Sequence, residues 1–119
     1  MLAHIGMLRA SAIASSRRVD PRAVTNPAID SQLAGGRELL RFTDAALTGD
    51  GLELAEARTA VRRSAGDAAL VDAAGVIGNF EMMNRIADAV GMPVGKGTRK
   101  RMADVIDELG LARLDHGAA

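Results

Sequence analysis

The feature that most constrains the fold is a long apolar stretch between residues 67 and 90. Its apolar side chains recur every three or four residues, which places them on one face of an α-helix. The main face consists of Leu70, Ala73, Ala74, Ile77, Phe80, Met83, Ala87 and Val90. Four more apolar residues widen it, namely Val76, Met82, Ile86 and Ala89. A helix that is apolar over most of its circumference is expected to be surrounded, either by its own domain or by a neighbouring molecule.

The rest of the chain also has helical spacing, and no segment alternates apolar and polar residues as a half-buried strand does. Glycine and proline separate the helical segments. The pattern therefore predicts an all-α, compact bundle of about five helices. We expect them at residues 1–16, 37–48, 53–65, 67–90 and from a Thr98 cap to Gly110. Gly66 is expected to end the third helix, and Asp67 to cap the fourth.

The length of 119 residues predicts a single all-α domain spanning residues 1–119. Residues 31–110 are expected to form its core and residues 111–119 a tail, whereas the apolar pattern gives least information on the structure of residues 1–30.

The composition excludes several classes of protein. With 48% hydrophobic and 25% charged residues, the chain is too apolar for intrinsic disorder and too interrupted by charge for a membrane span. A net charge of zero argues against nucleic acid or anionic lipid as a partner. Cysteine is absent, which excludes disulfides, thiol catalysis and thiolate metal sites within these residues. We predict no metal ion and no cofactor.

The composition also bears on location and assembly. The first residues do not form a secretory signal, so a cytoplasmic location is expected. The preference for Arg and Ala indicates a GC-rich bacterial gene. Only two aromatic residues, Phe42 and Phe80, are present, so the core depends on alanines that each bury little area. Such a small chain is expected to gain stability by forming a homo-oligomer.

Two polar groups are candidate sites. Asn84, Arg85 and Asp88 interrupt the apolar helix and form a possible interface or structural group, in which Arg85 pairs with Glu81 or Asp88. The second group is Lys96, Arg99, Lys100 and Arg101. It is either an anion-binding site or a solvated charged face. Acidic residues follow it directly, which argues against DNA binding.

The polar residues near the end of the long helix carry a family resemblance. Residues 84–91 read Asn-Arg-Ile-Ala-Asp-Ala-Val-Gly, and residues 37–50 read RELLRFTDAALTGD. Over residues 37–93 the chain resembles the alkylhydroperoxidase D-like, carboxymuconolactone decarboxylase family. The resemblance implies an all-α fold and either peroxidase or decarboxylase activity, without specifying the substrate.

The N-terminal sequence MLAHIGMLRA extends the resemblance. Peroxidase-type members carry Cys-x-x-Cys-x-x-x-His, and His4 fits the histidine of that motif. His4 is therefore the catalytic candidate, as the group that handles a proton beside a thiolate. Both cysteines would precede Met1, so the peroxidatic step has no nucleophile here and we predict no peroxide reduction.

Three explanations for the missing cysteines stay open, and with them the question whether the chain is an enzyme. The chain is a fragment or has a misassigned start, or it is a truncated, inactive paralogue, or it is a relative of the decarboxylase kind with a non-thiol site. The alternative to the whole family hypothesis is a non-catalytic helical oligomerisation or binding module. Such a module would use the long helix to bind a partner and residues 96–101 to bind an anion.

Overall fold

The computed structural model describes residues 2–93 and 95–111, and the side chains from Gly6 onward. Within these residues there are five α-helices, one 3₁₀ turn at Pro21–Val24 and no strand. The helices are α1 Leu2–Ala14, α2 Gly36–Thr48, α3 Gly51–Ala89, α4 Lys96–Arg101 and α5 Ala103–Glu108. The prediction of an all-α fold with about five helices is confirmed.

The chain divides into two compact units. The hairpin unit comprises residues 33–92 and contains α2 and α3, whereas the terminal unit comprises residues 1–32 and 93–119 and contains α1, α4 and α5. The expectation of one domain with its core at residues 31–110 stays a prediction.

A two-residue connection joins α2 to α3. Gly49 ends α2 in the left-handed conformation, with φ 76° and ψ 13°, and donates its N–H to the carbonyl of Ala45 at 3.2 Å. Asp50 then caps α3, because its Oδ1 accepts hydrogen bonds from the N–H groups of Leu52 and Glu53 at 3.1 and 3.2 Å. The two helices therefore form an αα-hairpin, and α2 ends at Thr48, where the sequence predicts its end.

Helix α3 is interrupted at Gly66, as the sequence predicts. Gly66 has φ 88° and ψ 171°, a combination open essentially to glycine alone. It divides α3 into a first arm, residues 51–65, and a second arm, residues 67–89. The prediction that Asp67 caps the second arm is wrong, because its Oδ1 instead accepts a hydrogen bond from Nε of Arg62 at 2.8 Å.

The core of the hairpin unit needs this interruption. Its buried residues come from α2 and from both arms of α3, and they are Phe42, Ala45, Ala57, Val61 and Leu70. Val61 and Leu70 are nine positions apart, so a straight helix turning by about 100° per residue would point these side chains in opposite directions. The non-helical backbone at Gly66 lets both arms present apolar side chains to α2.

The second arm is not surrounded by its own unit. The sequence predicted that this apolar helix would be surrounded either by its own domain or by a neighbouring molecule, and the first of these is not observed. Leu70 is its only buried residue, and Ala73 and Ile77 pack against the same core while partly exposed. Val71 is 69% exposed and Ile86 is 55% exposed. The arm is therefore longer and more apolar than the contacts of its own unit require.

The terminal unit has a small core of its own. Val105 and Leu109 are buried in it, with Met102 and Leu111 packed against them. The prediction of one helix from a Thr98 cap to Gly110 is wrong in two respects. The helix α4 begins at Lys96, and the backbone of Met102, at φ −110° and ψ 16°, separates α4 from α5. Met102 turns there and also packs into the core. Gly110 follows α5 in the left-handed conformation, at the predicted stop.

Candidate functional site

The structure places the predicted site residues in three separate parts of the chain. His4 lies on α1, but its side chain is outside the described residues, so its proposed catalytic role stays a prediction. His116 also lies outside the described residues. Among the residues that the structure describes, no group of three His, Cys, Asp or Glu side chains is placed to hold a metal ion.

Asn84, Arg85 and Asp88 all lie exposed on the second arm of α3. Arg85 Nη2 contacts Oε2 of Glu81 at 3.3 Å, one helical turn away. Glu81 is one of the two partners that the spacing predicts. An exposed pair of this kind adds solubility and modest helix stability rather than chemistry.

Lys96, Arg99, Lys100 and Arg101 are exposed residues of the six-residue helix α4. Nη2 of Arg101 donates to Oγ1 of Thr98 at 3.4 Å. The four residues therefore form a cationic surface on one short helix. None of them lines the groove that residues near the end of α1 form in the same unit.

The second arm carries an exposed apolar stripe that consists of Ala68, Val71, Gly75, Gly78, Met82 and Ile86. These residues follow one another at intervals of three or four, so they lie along one side of the helix. Met82 is 55% exposed. A Cβ atom added at Gly75 or Gly78 would meet no atom within 4 Å, so the middle of the stripe is open.

Two opposite charges lie beside this stripe at its two ends. Asp67 and Arg85 are eighteen residues apart, which is five full turns of an α-helix, so they lie on the same line along the arm. Asp67 is near the N-terminal end of the arm and Arg85 near its C-terminal end.

The terminal unit contains an open groove of ≈ 450 Å³, which we call the arginine groove. Its charged lining residues are Arg9, Arg17, Arg18, Asp20, Arg22 and Glu108. It forms where the chain reverses after α1, because Ser16 adopts φ 53° and Arg17 N–H bonds back to the carbonyl of Ala12 at 2.8 Å. The N–H of Asp20 then bonds to the carbonyl of Ser31 at 3.0 Å, which fixes the far side of the reversed segment.

Two of the four arginines in the groove are paired. Arg22 forms a fork with Asp20, with Nε–Oδ1 and Nη2–Oδ2 distances of 2.9 and 2.6 Å. The Arg22 hydrogen bond holds the pKa of the Asp20 carboxyl below its usual value, and Asp20 raises the pKa of Arg22. Arg9 binds Glu108 and approaches Asp104 at 4.0 Å.

Arg17 and Arg18 complete the groove without such partners. Both are exposed, and no ion pair joins either side chain to another of the described residues. This groove was not predicted from the sequence. Its only signal was the concentration of four arginines between residues 9 and 22, which shows no helical period.

Comparisons with protein-family models, with curated proteins and with solved structures gave no match. The resemblance to the alkylhydroperoxidase D-like family therefore stays a prediction that rests on the quoted residues. None of the helices described is both long enough and apolar enough to cross a membrane.

Proposed function

We propose that this protein is a non-catalytic helical module that self-associates, with the apolar stripe of α3 packed against the stripe of a second copy. The observation that supports the proposal is the exposure of Val71, Met82 and Ile86 along one side of a helix that already has a core on its other side. Exposed apolar surface of this kind is typical of interaction sites. Removing it from water contributes roughly 25 cal/mol per Å².

The open glycines in the middle of the stripe favour a helix as the occupant. Because Gly75 and Gly78 have no side chain, a second helix can approach the backbone closely there. The larger side chains at either end would then pack around the crossing point. A second copy placed antiparallel brings Gly75 opposite Gly78, Val71 opposite Met82, and Ala68 opposite Ile86.

The charges beside the stripe favour the same arrangement. In an antiparallel pair with twofold symmetry, the same flank of each helix meets its equivalent, and the N-terminal end of one arm meets the C-terminal end of the other. Asp67 of each copy therefore lies opposite Arg85 of the other. A parallel pair would instead place like charges at the same level along the interface, so Asp67 of one copy could not meet Arg85 of the other.

The size of the stripe predicts a reversible dimer. Residues 68–86 span about 27 Å at 1.5 Å per residue, and a helix is about 10 Å wide. Pairing two such surfaces buries roughly 540 Å² in total, which is below the size of a standard stable interface. We therefore expect a concentration-dependent equilibrium between monomer and dimer.

Sedimentation velocity over a range of protein concentrations tests the proposal. Met82→Glu places a charge on the stripe, opposite Val71 of the second copy, and is expected to abolish the dimer. Asn84→Glu is the matched control, because Asn84 is also exposed on the second arm but points away from the stripe. Circular dichroism verifies that both variants keep their helices. The proposal fails if the wild type stays monomeric at millimolar concentration, or if both variants dimerise equally well.

A charge exchange tests the antiparallel register. Asp67→Arg and Arg85→Glu each create two repulsive pairs in the dimer and should weaken it by about fivefold, since exposed ion pairs contribute 0.2–1 kcal/mol each. The double variant restores opposite charges at both ends and should recover the wild-type dissociation constant. If the double variant instead shows the summed losses of the two single variants, this register is refuted, although the proposal of self-association would still stand.

Membership of the alkylhydroperoxidase D-like family is a separate hypothesis. An all-α fold of five helices is compatible with it, and so is the cytoplasmic location that the sequence predicts. Because the 119 residues contain no cysteine, the hypothesis assigns this chain no thiol peroxidase chemistry. His4 remains its one candidate catalytic residue.

A further inference from the structure

The arginine groove has more positive charge than its own carboxylates neutralise. Four guanidinium groups and two carboxylates line it, which leaves a surplus of two positive charges in a protein whose net charge is zero. Arg9 and Arg22 are engaged by Glu108 and Asp20, so the surplus resides on Arg17 and Arg18. A charge surplus confined to a concave surface attracts a small anion of matching charge.

The groove also has an apolar part. Ala12, Ile13, Val19 and Pro21 line it together with the charged residues, and Ala12 and Pro21 are buried. Its volume of ≈ 450 Å³ lies within the range of small-molecule sites. A ligand that fits both parts has an anionic head and a compact apolar body.

We propose that the arginine groove binds a small organic phosphate, with the phosphate held by Arg17 and Arg18 and the apolar body placed against Ile13 and Val19. A phosphate monoester carries nearly two negative charges at neutral pH, which matches the surplus. Guanidinium groups bind phosphate oxygens through paired hydrogen bonds, and both groups have their donors available. The Asp20–Arg22 fork and the Arg9–Glu108 pair hold the walls of the groove in place around them.

This site differs from the cationic surface of α4 that the sequence suggests. Lys96 and Lys100 are exposed on a single short helix and line no part of the groove. The two places can therefore be compared by removing two positive charges from each. The self-association proposal concerns the other unit of the chain, so either proposal can fail without the other.

The test is a calorimetric titration of the full chain with phenyl phosphate at pH 7.5 and low salt. We expect saturable binding of one equivalent with a dissociation constant below about 1 mM. The double variant Arg17→Gln, Arg18→Gln should raise that constant at least tenfold, roughly the loss expected when charged hydrogen bonds to the ligand are removed. The matched variant Lys96→Gln, Lys100→Gln should change it less than about twofold, because general electrostatic attraction alone is weak in a neutral protein.

Two further titrations test the chemistry of the ligand. Inorganic phosphate, which lacks the apolar body, and phenyl sulfate, which has one negative charge, should both bind more weakly than phenyl phosphate. The proposal is overturned if phenyl phosphate does not saturate, if the two double variants lose equal affinity, or if inorganic phosphate binds as tightly as phenyl phosphate. Since Arg17 and Arg18 are exposed and unpaired among the described residues, their variants are expected to fold normally, as circular dichroism would verify.

Discussion

Replacing Gly66 with alanine tests the structural basis of the exposed arm. The backbone of Gly66, at φ 88° and ψ 171°, lies in a region that is essentially closed to residues with a Cβ atom. The space around it is not the obstacle, because an added Cβ would meet no atom within 4 Å. The variant must therefore either strain the backbone or straighten α3.

Both routes reduce the stability of the hairpin unit. Keeping the present conformation costs about 1–3 kcal/mol of backbone strain. Straightening α3 would turn Leu70 to the side opposite Val61 and remove it from the core, at a cost of about 1.5–3 kcal/mol for one buried leucine. The sixty residues of the unit are expected to have a total stability of about 3–9 kcal/mol. We therefore expect Gly66→Ala to lose a substantial part of it, about 2 kcal/mol.

A urea titration followed through the NMR methyl signals of Val61 and Leu70 measures this loss. With a slope of about 1 kcal/mol per molar urea, the midpoint should fall by about 2 M. Gly75→Ala is the matched control, since its added Cβ also meets nothing within 4 Å but its backbone is helical. It should gain about 0.5–1 kcal/mol, and both variants are measured where the wild type is monomeric. If Gly66→Ala proves as stable as Gly75→Ala, the interruption of α3 does not organise the core.

Two other predictions concern charge and chemistry. Arg41 holds Glu53 in a fork with Nε–Oε1 and Nη2–Oε2 distances of 2.5 and 2.9 Å, and this hydrogen bonding keeps the pKa of the Glu53 carboxyl below its usual 4.5. The folded chain then binds this proton less readily than the unfolded chain, so the stabilisation is present above pH 4.5 and is lost as the pH falls through the lowered pKa. Arg41→Gln should therefore lower the urea midpoint more at pH 7 than at a pH acidic enough to protonate Glu53 in the folded chain, whereas Arg58→Gln, on the helix that carries Glu53, should have little effect at either pH. In a thiol-coupled assay the purified chain should not turn over cumene hydroperoxide, because it has no cysteine, and measurable turnover would show that reasoning to be wrong.

The position of the interruption in α3 could be predicted from the sequence, but its geometry could not. Glycine followed by aspartate is a local signal, and it correctly indicated a break at Gly66. The direction of the second arm depends on one pair of backbone angles, which the sequence leaves open. Those angles decide which apolar residues face α2. Spacing placed Leu70 and Ile77 on the same main face as Met83 and Val90, but it could not predict that Met83 and Val90 are 39% and 68% exposed.

Two other features were missed for different reasons. The end of α4 at Met102 carries no local signal, because methionine is a good helix former and its spacing with Val105 and Leu109 continues a helical stripe. Packing of the small terminal core overrides that propensity. The arginine groove depends on a reversal at Ser16, a residue with no strong preference for positive φ, so its arginines are brought together by tertiary structure rather than by spacing.

The proposed twofold symmetry also explains why such an apolar arm need not lead to aggregation. A neutral protein has little long-range repulsion to keep copies apart, so an exposed apolar helix would ordinarily promote open-ended association. In an isologous pair each copy uses the same surface as its partner, so the stripe is fully occupied once two copies have joined. Parallel or shifted contacts would lose the proposed pairing of Asp67 with Arg85. Self-association should therefore stop at the dimer, and sedimenting species larger than two chains would show that the contact joins two different surfaces.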